Sequence, residues 1–176
     1  MTLRSYWKKS LKTILATHAS QTTPFRVAIL GIGNEQNGDD AAGVLVARGL
    51  SALTGQPHLL ILEAGLAPEN FTGPLRRFGP DYVLLVDAAE MGDAPGTIRV
   101  LDWRDSTGFG PSTHLQPPST FAEYLIVETG CEVVLLGIQP ARLDFDTRLS
   151  APVRAAVGRV RRGLRELLSQ AQHQGL

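Results

Sequence analysis

Two aspartates stand side by side at Asp39-Asp40, a third closes an apolar run at Asp87, a glutamate closes another at Glu63, and a histidine lies in Ser112-Thr113-His114. These are the side chains whose types and positions suit chemistry. A carboxylate at the end of an apolar strand is costly to desolvate unless it is paired, protonated or metal-bound, and Asp87 follows Tyr82-Val83-Leu84-Leu85-Val86. Asp39 and Asp40 mark a helix start, where a carboxylate caps backbone N–H groups and meets the positive end of the helix dipole. One cap is enough, so Asp39 or Gly38 is expected to cap and Asp40 to face a cleft. Glu63 has a longer side chain that can reach solvent and stands equally as a simple strand-end acid. One histidine with two carboxylates is a three-ligand set with open positions, suited to a borderline divalent ion such as zinc, nickel or cobalt. His18, His58 and His173 lie in terminal segments or at a strand start, which leaves His114 as the histidine for that set.

Other chemistries are disfavoured. Gly31-Ile32-Gly33 follows an apolar run, but position 36 of the would-be G-x-G-x-x-G is Gln36 and the next glycine is Gly38. Two acids at the helix start would also repel a pyrophosphate there. The chain contains no Walker A motif, no G-x-S-x-G elbow and no Ser-His-Asp or Cys-His order. Cys131 lies between a helix end and an apolar strand, a core position.

The elements that must hold these residues alternate strand and helix. Residues 25–30, 58–63, 81–87, 97–101 and 132–138 read as strands from their apolar, β-rich runs and bounding glycines and prolines. Residues 39–53, 67–78 and 119–128 read as helices, and Val153, Val157, Val160, Leu164 and Leu167 set a long C-terminal amphipathic helix. Such alternation implies an α/β three-layer sandwich, a mostly parallel sheet between helices, with ligands bound at the carboxyl ends of the strands. Residues 104–119, rich in Gly, Ser, Thr and Pro, form a loop that brings His114 to that edge. Leu3, Trp7, Leu11, Ile14 and Leu15 recur at helical spacing, so residues 4–17 form an amphipathic helix and Ser20–Pro24 a flexible linker. The chain thus divides into an N-terminal extension, residues 1–24, and a single α/β domain, residues 25–176.

Hydrophobic residues make up 43% of the chain, enough for a packed core. The 17 basic and 17 acidic residues cancel, which argues against a dedicated nucleic-acid binder. The balance is uneven along the chain: residues 1–24 hold four basic side chains and no acid, residues 25–150 carry a net −8, and residues 151–176 hold five arginines and one glutamate. No apolar run approaches bilayer-spanning length, so no membrane insertion is expected. The single Cys131 forms no intramolecular disulfide and points to a reducing, cytoplasmic setting.

Five stretches in order resemble the hydrogenase maturation endopeptidases, which process the large subunit of nickel–iron hydrogenases. They are Leu30-Gly31-Ile32-Gly33-Asn34 with Gly38-Asp39-Asp40-Ala41-Ala42-Gly43; Glu63-Ala64-Gly65-Leu66-Ala67-Pro68-Glu69-Asn70; Leu85-Val86-Asp87-Ala88-Ala89-Glu90-Met91-Gly92; Ser112-Thr113-His114; and Leu136-Gly137-Ile138-Gln139-Pro140. The resemblance covers residues 26–168 and is strongest to the type serving hydrogenase 3. It implies a mixed five-stranded sheet with one antiparallel strand, for which residues 97–101 are the candidate. It further implies an aspartic-type endopeptidase that removes a C-terminal peptide from the large-subunit precursor after nickel insertion. The nickel would come with the substrate, with no organic cofactor. Metal contact and catalysis would fall on Asp40, Asp87 and His114, and substrate recognition on Gly33, Asn34 and Glu63. Glu63-Ala64 stands where the family usually has Asp-Gly, at a position tied to substrate recognition. The residues by themselves leave open a hydrolase with its own bound zinc, a nucleotide-binding module and a non-catalytic chaperone of the large subunit.

Overall fold

The computed structural model describes residues 6–19, 25–102, 104 and 118–173. His114 and the linker expected at residues 20–24 lie outside them. Five strands form one sheet: β1 Val27–Ile32, β2 Leu59–Gly65, β3 Tyr82–Ala88, β4 Ile98–Leu101 and β5 Glu132–Ile138. Their order is β2-β1-β3-β5-β4. All pairings are parallel except β4 with β5, which is antiparallel at the sheet edge, as the segment 97–101 was expected to be. The α-helices are α1 Tyr6–Ala19, α2 Ala42–Gly49, α3 Thr72–Phe78, α4 Pro118–Thr129 and α5 Ala151–His173. No described helix is long and apolar enough to cross a membrane.

Strand alternation sorts the apolar side chains into two cores. Val27, Ile29, Tyr82, Leu84, Val86, Val134 and Leu136 pack with residues of α1, α2 and α5 on one face of the sheet. Ala28, Leu30, Val83, Leu85, Val133 and Leu135 pack with Leu75 of α3 and Phe121, Ala122 and Leu125 of α4 on the other. Burial on both faces explains the unbroken apolar runs of β1, β3 and β5.

The helix expected over residues 39–53 is broken. A 3-10 turn, Gly38–Ala41, leads into α2, and a second, Ser51–Leu53, follows it. β1 and β2 also extend past their expected ends, β2 by two residues to Gly65. β2 gains a bulge there, because Gly31 pairs with Glu63 but Ile32 with Gly65.

The N-terminal helix packs on β4 and α5. Trp7 is 3% exposed and Leu11 1%, and both belong to the α5-side core. Gly163 makes this seat: a Cβ there would lie 2.5 Å from the Trp7 ring. Lys8 pairs with Glu166 on the outside. The two basic ends of the chain therefore share one face. Truncating Trp7 to alanine removes a buried indole and should lower unfolding free energy by about 3–5 kcal/mol. Urea denaturation of Trp7→Ala measures this, and a loss under 1 kcal/mol would show that the helix merely rests on the surface.

Candidate functional site

Parallel register places the strand exits in line. Gly31 lies opposite both Glu63 and Val86, and Asp87 opposite Gly137. Alternation then separates the acids. Asp87 follows Val83 and Leu85 onto the α3–α4 face, while Glu63 follows Leu59 and Ile61 onto the α2 face. The carboxylates share an edge of the sheet, as the sequence suggests, but not a face.

Asp40 reaches that edge on the 3-10 turn before α2, and the turn packs against β3. Glycines set how close it comes. A Cβ on Gly33 (φ +130°) would lie 1.8 Å from the Asp40 carbonyl oxygen. A Cβ on Gly43 would lie 2.1 Å from the Val86 carbonyl oxygen and 2.3 Å from that of Ile32. A Cβ on Gly31 would lie 2.2 Å from the Gly43 carbonyl oxygen. Any larger residue at these positions pushes the start of α2 away from β1 and β3. The Gly31-x-Gly33 pair thus serves close backbone approach, as it does in nucleotide sites.

The adjacent aspartates have different work, and neither does the capping expected of Asp39. Neither the 3-10 turn nor α2 has a side-chain cap. Asp39 is fully buried. Its Oδ1 accepts the Ser150 N–H at 2.6 Å, and its Oδ2 accepts those of Ala141 at 2.8 Å and Arg142 at 3.2 Å. One carboxylate thereby organises the connection from β5 to α5, which draws it away from the helix end. Asp40 is 5% exposed, and its Oδ2 accepts the Asn34 N–H at 2.9 Å. Asp87 is 2% exposed, with Oδ1 accepting the Ala88 N–H at 2.8 Å. Two nearly buried carboxylates from separate elements at the strand exits are able to hold a cation or act as acid and base. Among the described residues no cluster of three or more His, Cys, Asp or Glu side chains forms a metal site.

Gly33, Asn34 and Glu63 line one recess of about 430 Å³ beside Asp40, together with Glu35, Val44 and Leu66. Reading the sequence missed two residues here. Arg48, on α2, bonds both Glu35 and Glu63, and no local motif announces it. Gln139, 4% exposed, ties the β5 exit to the segment after β3. Its Oε1 accepts the Met91 and Asp93 N–H groups, and its Nε2 donates to Glu90. Its place in Gly137-Ile138-Gln139-Pro140 was the available signal. Cys131 is 3% exposed, and burial pushes its thiol up, which suits a core residue and not a nucleophile.

Comparison with known proteins bears on the family and the fold. A family model described as hydrogenase maturation protease matches residues 44–165. The chain is 36% identical over 130 residues to the hydrogenase 3 maturation protease of Escherichia coli K12, covering 73% of this chain and 82% of that protein. The crystal structure of a NiFe hydrogenase maturation protease from Thermococcus kodakarensis superposes with a TM-score of 0.79 at 34% identity, covering 91% of this chain and 99% of that one. The solution structure of an endopeptidase from Escherichia coli gives 0.69 at 34% identity, covering 78% and 88%.

Asp39→Ala leaves three backbone N–H groups without their charged acceptor and should cost about 3 kcal/mol or more in urea unfolding. Stability within 1 kcal/mol of the parent would show that the connection holds itself. Cys131 should resist alkylation at neutral pH in the folded protein and react once urea unfolds it. Rapid labelling of the folded chain would contradict the core assignment.

Proposed function

The chain belongs to the hydrogenase maturation protease family, and we propose that it is the endopeptidase that removes the C-terminal peptide of a nickel–iron hydrogenase large-subunit precursor after nickel insertion. The observation that supports this reading most directly is the pair of nearly buried carboxylates, Asp40 and Asp87, at the carboxyl edge of the sheet. The nickel is part of the substrate and arrives on the precursor's own cysteine thiolates. Asp40, Asp87 and His114, four residues before α4, complete its coordination. A mixed carboxylate and imidazole set suits a borderline divalent ion, and the hard carboxylates favour temporary over permanent capture. The bound ion supplies Lewis acidity near the scissile bond.

The remaining chemistry belongs to the chain. A carboxylate of the pair takes a proton from the attacking water as general base. The Asn34 N–H fixes one oxygen of Asp40, and the Ala88 N–H one oxygen of Asp87, so both carboxylates are oriented before substrate arrives. Gly33, Asn34 and Glu63 hold the precursor in the adjoining recess. A lone, buried cysteine suits the reducing cytoplasm, where such a precursor is made.

Purified protein should shorten a nickel-loaded precursor and leave the nickel-free precursor intact, as read by intact mass. Cleavage of both would replace substrate nickel with a metal of the protein's own, and binding without cleavage would indicate a chaperone. Asp40→Ala, Asp87→Ala and His114→Ala should each lower processing by about 100-fold or more while circular dichroism is unchanged. Full processing by Asp87→Ala would overturn the assignment of the site.

A further inference from the structure

Arg48 lies in the last turn of α2, outside every motif that the site uses. Its Nη1 and Nη2 each donate to one oxygen of Glu35, both at 2.7 Å, in the two-pronged geometry that a guanidinium makes with a carboxylate. Its Nε and Nη2 also donate to Oε2 of Glu63, at 2.9 and 2.7 Å. All three guanidinium nitrogens are engaged, and three elements meet on one side chain: α2, the β1–α2 connection and β2. The fork holds the Glu35 carboxyl below the usual carboxylate range.

Stability does not account for this cluster. The three side chains are 40–48% exposed, and ion pairs that wet contribute little to folding. Location does account for it. Glu35 and Glu63 line the recess beside Asp40, and Glu35 directly follows Asn34, whose N–H holds Asp40. Without Arg48 the two carboxylates repel across the recess, and its walls separate. With Arg48 they stand together with a combined charge of one negative.

We propose that Arg48 is a positioning residue that sets precursor specificity: by clamping Glu35 to Glu63 it fixes the width and charge of the recess beside Asp40. It acts through those carboxylates and not on the reacting atoms. The proposal rests on the precursor-processing reading of the site. Because the recess adjoins Asp40 through Asn34, Arg48 governs how tightly the precursor binds and leaves the bond-breaking step to the aspartates.

The test is steady-state processing of nickel-loaded precursor by the parent protein, Arg48→Ala and Arg48→Lys, with urea unfolding of each. Arg48→Ala should raise KM about tenfold with kcat within about twofold and an unchanged unfolding midpoint. Arg48→Lys keeps the charge but not the fork, and should recover only part of the loss. An unchanged KM in Arg48→Ala overturns the proposal, as does a fall in kcat alone or a KM rise that follows lost stability. Should the parent protein bind the precursor without cutting it, the processing reading falls. Arg48 is then judged on affinity, where a tenfold weaker complex for Arg48→Ala supports the clamp and an equal one overturns it. A parent protein that neither cuts nor binds overturns both.

Discussion

Everything at the functional edge depends on how closely α2 approaches the exits of β1 and β3. The contact is backbone against backbone, between Gly43 and the carbonyls of Ile32 and Val86, with Gly31 and Gly33 completing it. Side chains would hold these elements apart by the thickness of at least a methyl group. Their absence lets the turn carrying Asp40 rest on the strand that carries Asp87. Glycine costs conformational entropy in the unfolded chain, and here that cost is set against a site that a β-carbon would open.

The paired aspartates divide structure from chemistry. Asp39 is consumed by three backbone N–H groups and fastens residues 141–150 to the turn. This connection is reinforced by the Asp39 N–H donating to the Arg142 carbonyl and the Asp146 N–H to that of Gln36. Asp40, one residue on, is thereby held by a rigid neighbour. Charged groups that must sit at accurate positions need such support, because a carboxylate on a loose loop loses the advantage of prior orientation. Gln139 does comparable work beyond β3, where one amide side chain satisfies two backbone donors and one carboxylate.

Charge is partitioned in space as well as in sequence. The basic residues of α1 and α5 lie on the helical face, joined where Trp7 sits over Gly163 and Lys8 meets Glu166. The acids concentrate in the sheet segment and its exits, where Arg48 bridges two of them. An acidic edge with nearly buried carboxylates favours cation capture.

The family resemblance implied the antiparallel strand, while the succession of strands and helices along the chain and the acids at the strand exits were readable from the residues themselves. These features rest on local pattern: apolar runs of strand length, helical spacing of Val153, Val157, Val160 and Leu164, and polar residues placed after each run. Which aspartate serves structure was not readable in full. The sequence favours Asp40 for the cleft, but it assigns Asp39 a helix cap, and only the return of residues 141–150 to the turn reveals the acceptor's true partners. Glu63 reads as an acid on the same edge as Asp87, yet strand alternation puts the two on opposite faces, and α2 alone supplies its partner Arg48, fifteen residues earlier. Local pattern determines what each segment becomes, because the period of apolar residues follows from the geometry of strand and helix. Partners distant in sequence are decided only when the elements pack, because hydrogen bonds and ion pairs form between groups that tertiary folding brings within reach.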